Sequence, residues 1–124
     1  MPVYLAVAVG GALGALARHS LDWLIERRFT SLFPWSTFAI NLSGCLLIGV
    51  LIAALVDRHG TPAWLRVGLV VGLVGGYTTF STFAQETLDL LEDGQAGLAF
   101  AYAAGSVCVG VAAVFAGLSL GRAI

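Results

Sequence analysis

The stretch "GLVGGYTTFSTF", Gly72–Phe83, decides how the chain is read. It lies within residues 67–85, a run without a single charge. A helix needs roughly 20 such residues to cross the hydrocarbon core of a bilayer. Yet Gly72, Gly75 and Gly76 weaken a helix, and Tyr77, Thr78, Thr79 and Thr82 add aromatic and β-branched side chains that lose rotamer freedom in one. Two readings stay open. In one, the helix unwinds here and frees backbone carbonyls, which is tolerated at membrane depth only where protein or a polar cavity satisfies them. Such carbonyls, facing one another across a two-fold axis, form an oxygen cage suited to a hard cation. In the other, the glycines form a packing face and the threonines bond back to the preceding turn.

Outward from this stretch the chain is membrane-like throughout. Of its 124 residues 59% are hydrophobic and 10% charged, where soluble domains carry about 25% charged residues. The charges cluster and leave residues 2–17, 29–56, 67–85 and 94–121 without any. An all-α integral membrane fold with four transmembrane helices follows, at about 3–23, 34–56, 64–91 and 95–120, as a single domain spanning 1–124. The third helix is expected to break mid-membrane. Loops are short: "ERRFTSLFP" with Pro34 suited to the first turn of the next helix, "DRHGTPAW" punctuated by Gly60 and Pro62, and "LEDGQAG". A cleaved signal peptide is disfavoured, since no basic residue precedes Arg18.

The basic residues are all arginine and divide evenly. Arg58, Arg66 and Arg122 fall on one side of a four-helix layout, Arg18, Arg27 and Arg28 on the other. The positive-inside rule therefore prefers neither orientation. Insertion both ways up, with copies pairing antiparallel as a two-fold homodimer, is the expected consequence. The two-fold axis would then lie in the membrane plane. A net charge of −1 gives no footing for nucleic acid. Cys45 and Cys108 sit in apolar runs without metal-ligand spacing and read as packing residues.

Several side chains stand out against this background. In the first helix, Gly10, Gly14 and Ala17 permit close backbone approach, and Arg18 either anchors the helix end or serves an anion. In the second, Thr37 and Asn41 share a face four residues apart. Asn41 needs partners in lipid, either as glue between helices or as an amide donor on a polar path. In the third, Phe80 and Phe83 share a face; they either face lipid or core, or line an anion path with their electropositive ring edges and no full charge. Ser81, Thr82 and Glu86 extend polarity toward the helix end, where Glu86 also reads as no more than a solvated terminus. In the fourth, Tyr102 and Ser106 present hydroxyls four residues apart, either flanking the same path or serving as packing glue.

"GGALGALAR" at 10–18, "NLSG" at 41–44 and "GLVGGYTTFSTF" at 72–83 together resemble the Fluc/CrcB family of fluoride channels. The resemblance covers essentially the whole chain. It implies a multi-pass protein of the bacterial inner membrane, a dual-topology antiparallel dimer with two pores, and passive export of fluoride. It implies a structural Na⁺ on the two-fold axis, held by the main-chain oxygens of Gly75 and Thr78. It implies that Phe80 and Phe83 line the pores with Asn41 as a nearby donor, that Ser81, Thr82, Tyr102, Ser106 and Thr37 form a polar track, and that Arg18 and Glu86 stand near the pore ends. It also implies that the protein is no enzyme.

A small proton-coupled multidrug exporter of similar size is the main rival. It requires an acid within the first helix, and none occurs before Asp22. A purely structural membrane subunit explains the small residues and leaves the polar run of the third helix unexplained.

Overall fold

The computed structural model describes residues 1–58 and 60–124. Among these residues the chain is all helical. Helix α1 runs Val3–Glu26, α2 Trp35–Val56, α3 residues 63–77, α4 Phe80–Glu92 and α5 Ala96–Ala123. By length and composition four segments can cross a membrane, with α3 and α4 together forming the third, Ala63–Glu92. Helix α1 extends three residues beyond its expected end. Leu24, Ile25 and Glu26 offer no glycine or proline to stop it, and Arg27 closes it while stacking 4.3 Å from the centroid of the Trp23 ring. Pro34 caps α2 from just outside rather than lying in its first turn.

Two stretches widen into π-helical turns, Ile52–Val56 at the end of α2 and Gly68–Val74 within α3. Such turns accommodate an extra residue within a helix, and the composition carried no sign of them.

Helices pack as two pairs because small residues leave room for bare backbone. Helix α1 lies along α3: a Cβ built on Gly14 would overlap the Leu73 carbonyl oxygen and lie 2.8 Å from the Tyr77 nitrogen, and one on Gly76 would sit 2.5 Å from the Gly11 oxygen. Helix α2 lies along α5 through Gly49 and Gly117, where an added Cβ on Gly49 would come 2.8 Å from the Leu118 nitrogen. Helix α4 ends in a Schellman turn. Gly94 adopts φ 74°, its amide bonds Leu91 O at 3.1 Å, and the Gln95 amide bonds Leu90 O at 2.8 Å. That turn reverses the chain and lays α4 against α5. There Tyr102, Leu90 and Ala99 form a buried core with Phe33, Phe38 and Phe83 packed on it. Elsewhere the exterior is apolar, with Phe100, Val111 and Phe115 all largely exposed, as expected of a surface solvated by lipid rather than water.

Candidate functional site

The third span is interrupted at two residues. Thr78 (φ −84°, ψ 160°) and Thr79 (φ −147°, ψ 121°) have extended backbone between α3 and α4. In an unbroken helix the Thr79 amide would bond the Gly75 carbonyl. Here it donates to Asn41 Oδ1 at 2.8 Å, and Asn41 Nδ2 returns a bond to the Thr79 carbonyl at 2.9 Å. The side-chain amide of Asn41 thus pairs with both polar groups of one residue, as a neighbouring strand would. These two hydrogen bonds also settle which way the amide faces, because the oxygen must meet an N–H. One Nδ2 hydrogen remains without a protein partner among the described residues.

Thr79 then starts the next helix. Its Oγ1 accepts the Thr82 amide at 3.3 Å and donates to Thr82 Oγ1 at 3.1 Å, an N-cap by a residue type suited to it. Ser81 Oγ lies 3.5 Å from the same hydroxyl. The Thr82 amide is thereby withdrawn from the Thr78 carbonyl. Four main-chain oxygens, of Gly75, Gly76, Tyr77 and Thr78, lose their helical partners at the break. Thr78 is held on the α3 side, its amide and Oγ1 both bonding the Val74 carbonyl at 3.0 and 2.9 Å. Gly44 lets Thr78 approach α2, since a Cβ there would overlap the Thr78 methyl.

Beside the break lies an open groove of about 310 Å³ between α2, α4 and α5. Asn41, Thr78, Thr79, Phe80, Phe83 and Ser106 line it. Ser106 Oγ is buried with no partner among the described residues, and a hydroxyl without a partner needs one from a ligand or water. Phe80 is 79% exposed and stands at the groove's edge, its ring centroid 5.8 Å from that of Phe83. Cys45 also lines this groove.

Phe83 joins the groove to a second polar group. Its ring meets Tyr102 edge-on at 5.1 Å, and Tyr102 is fully buried. Tyr102 OH donates to Glu86 Oε2 at 2.6 Å and Thr37 Oγ1 donates to Glu86 Oε1 at 2.7 Å. Both lengths belong to charge-assisted bonds, so a carboxylate with each oxygen satisfied fits this geometry. Beyond Glu86 a cavity of about 370 Å³ opens at the end of the bundle, lined by Glu26, Asp89 and Asp93 as well.

Of the residues singled out from sequence, Asn41, Phe80, Phe83 and Ser106 share the groove, Ser81 and Thr82 hang from the Thr79 cap, and Thr37, Glu86 and Tyr102 form one network. Arg18 stands apart on α1, where its Nε donates to the Gly76 carbonyl at 3.3 Å. Gly75 is exposed, with open space where a Cβ would stand. Sequence reading took Thr79 only as a residue that weakens a helix and missed its capping role, although a threonine three residues before another polar residue at a helix start is a capping signal. It also gave no hint of Ser36 bonding Asp22, or of Ser43 and Tyr77 pairing their hydroxyls at 2.8 Å.

The comparisons agree with one another. The family model described as "CrcB-like protein, Camphor Resistance (CrcB)" matches residues 5–118. A Fluoride-specific ion channel FluC of Acidobacterium capsulatum is 47% identical over 123 residues, covering 98% of this chain and 97% of that protein. One of Azotobacter vinelandii is 51% identical over 118 residues, covering 95% of each. One of Pseudomonas fluorescens is 47% identical over 120 residues, covering 97% of each. The chain belongs to the CrcB family.

Proposed function

We propose that this protein is a fluoride channel, with the groove at the Thr78–Thr79 interruption as part of the ion path. The observation that carries the reading is the composition of that groove. It offers the free N–H of Asn41, the unpartnered Ser106 hydroxyl and two phenylalanine rings, and no basic side chain lines it among the described residues. Fluoride is small and strongly hydrated, so a path must replace its water with several donors. Weak donors and ring edges suffice to admit it and are weak enough to release it, whereas a full positive charge would hold it. The near-full-length similarity to proteins named as fluoride-specific channels supports this assignment.

The finer architecture belongs to the same proposal. Two copies pair antiparallel, supported by the even arginine distribution and by the exposure of Gly75 at the break, where a carbonyl without its helical partner finds none in lipid. A structural Na⁺ fits the carbonyl oxygens of Gly75 and Thr78, both deprived of helical partners; two such oxygens from each copy give a hard, all-oxygen set. Its chemistry would be to neutralise converging carbonyl dipoles and lock the pair. Fluoride leaves a bacterial cell because the inner-membrane potential, negative inside, is worth about 2.3 kcal/mol per charge per 100 mV. No energy source beyond that gradient is required.

The test is growth in fluoride. A bacterial strain lacking its own fluoride exit route regains growth when it makes this chain, and loses it again with Phe80→Ile at equal membrane abundance. Failure of the unaltered chain to restore growth while present in the membrane counts against the proposal.

A further inference from the structure

Breaking a membrane helix creates two opposed charges at one point. The carboxyl end of α3 carries about half a negative charge and the amino end of α4 about half a positive one. An anion passing the break is helped by the second and hindered by the first. Thr79 caps the amino end of α4 from within the same span. The carboxyl end of α3 has no such local device: Thr78 is extended, and no residue at 77–79 takes the left-handed conformation that normally folds the chain back over the last carbonyls.

The sequence of α1 supplies the missing group. Gly10 and Gly14 press the backbone of α1 against that of α3, and Gly11 meets Gly76 in the same way. Arg18 follows Gly14 by one turn, on the same face of α1. It therefore arrives at the end of α3, and its Nε donates to the Gly76 carbonyl across 58 residues of sequence. That carbonyl would otherwise bond the Phe80 amide of a continuous helix. Gly76 O is the only hydrogen-bond acceptor of Arg18 among the described residues, and the contact is partly buried.

We infer that Arg18 is a positioning residue that caps α3 from a neighbouring helix, masking its negative end from the anion path and holding the break open. It does not line the groove and acts through the Gly76 carbonyl. The inference rests on the channel reading given above. It also gives the glycine stripe of α1 a second role, the delivery of a guanidinium to one carbonyl.

Arg18→Gln and Arg18→Lys separate charge from packing. Glutamine retains a hydrogen-bond donor and loses the charge. Lysine retains the charge, and because only one nitrogen of Arg18 makes the contact, an ammonium can replace it. Fluoride efflux from liposomes and hydrogen exchange of the segment 74–82 are measured on each intact purified assembly. Arg18→Gln should lower efflux on the order of tenfold, the scale of a partly buried charge at a helix end, and should speed exchange in 74–82. Arg18→Lys should recover most of the rate and the protection. A residue that merely packs would show neither the lysine rescue nor a loss of protection confined to 74–82. Efflux and protection in Arg18→Gln equal to the unaltered chain overturn the inference, as does an Arg18→Lys protein as deficient as Arg18→Gln. Should Arg18→Gln not assemble, Arg18→Lys alone decides: retained protection supports the cap, and lost protection in a folded assembly overturns it. Absence of fluoride efflux from the unaltered protein would instead count against the channel reading.

Discussion

Replacing Asn41 by alanine removes both hydrogen bonds that hold Thr79 out of helical register, at 2.8 and 2.9 Å. The immediate effect is to strand one N–H and one C=O, each worth about 1–3 kcal/mol if left unpaired. The Thr79 amide has a second choice, however. The Gly75 carbonyl lies one helical turn behind it, so the break can rewind and recover part of that loss. Between these limits the unwound state loses about 2–3 kcal/mol relative to the rewound one. Each 1.4 kcal/mol is a tenfold change in such a ratio, so Asn41→Ala should lower fluoride flux by about 30- to 100-fold while leaving a folded protein. Asn41→Asp should be comparably poor, because a carboxylate can accept from the Thr79 amide but cannot donate to its carbonyl, and it adds a negative charge to the groove. Fluoride-electrode efflux from liposomes reads the rate. Hydrogen exchange of the Thr79 amide reads the rewinding, which appears as altered protection at 78–80 without global loosening. Normal flux from Asn41→Ala with an unchanged exchange pattern would refute the reasoning, and the Asn41–Thr79 pairing would be reduced to ordinary helix contact.

Four other changes test separate parts of the account. Phe80→Ile should cut fluoride flux by at least about tenfold with assembly intact, since it removes a ring edge from the rim of the groove; unchanged flux would take the ring out of the path. Glu86→Gln should weaken the bonds from Thr37 and Tyr102 and lower the unfolding free energy by about 1.5–3 kcal/mol, the worth of charge-assisted bonds, seen as an earlier midpoint in a denaturant titration; an unmoved midpoint would show that the network stabilises nothing. Gly76→Leu should prevent α1 from seating on α3, because even a Cβ meets the Gly11 oxygen at 2.5 Å, and no folded protein should be recovered; a well-behaved Gly76→Leu protein would contradict the described packing. A cysteine at Thr61, in a chain lacking Cys45 and Cys108, should react with an impermeant reagent from both faces of sealed cells; labelling from one face only would sink insertion in both orientations.

The spans were legible because hydrophobic length is a one-dimensional property. Expected helices at 34–56, 64–91 and 95–120 fall within one to three residues of Trp35–Val56, Ala63–Glu92 and Ala96–Ala123. The first and the last each ran three residues past the expected end, the first where nothing in Leu24–Glu26 could end it. The glycines and threonines at 75–79 marked the site where the backbone leaves helical geometry. What the string of residues did not disclose was pairing across space. Asn41 read as an anion donor or as glue, and in the fold most of its amide is committed to Thr79. Arg18 read as an anchor or an anion partner, and it meets a carbonyl 58 residues away. Glu86, which also read as a solvated helix end, is gripped by two hydroxyls from different helices. Those contacts depend on which helix faces lie together, and helix order and periodicity leave that open. The π-helical turn at Gly68–Val74 departs from the ordinary helical period, a change that no residue in the stretch announces.

The most direct measurement is fluoride efflux from liposomes carrying the purified, unaltered protein. Internal fluoride is released by adding valinomycin in a K⁺ gradient and followed with a fluoride electrode, with chloride-loaded liposomes run in parallel. The account predicts rapid loss of fluoride that begins with valinomycin, needs no proton gradient, and is not matched by chloride. Retained fluoride from a verified intact assembly, or chloride leaving as fast as fluoride, would contradict it.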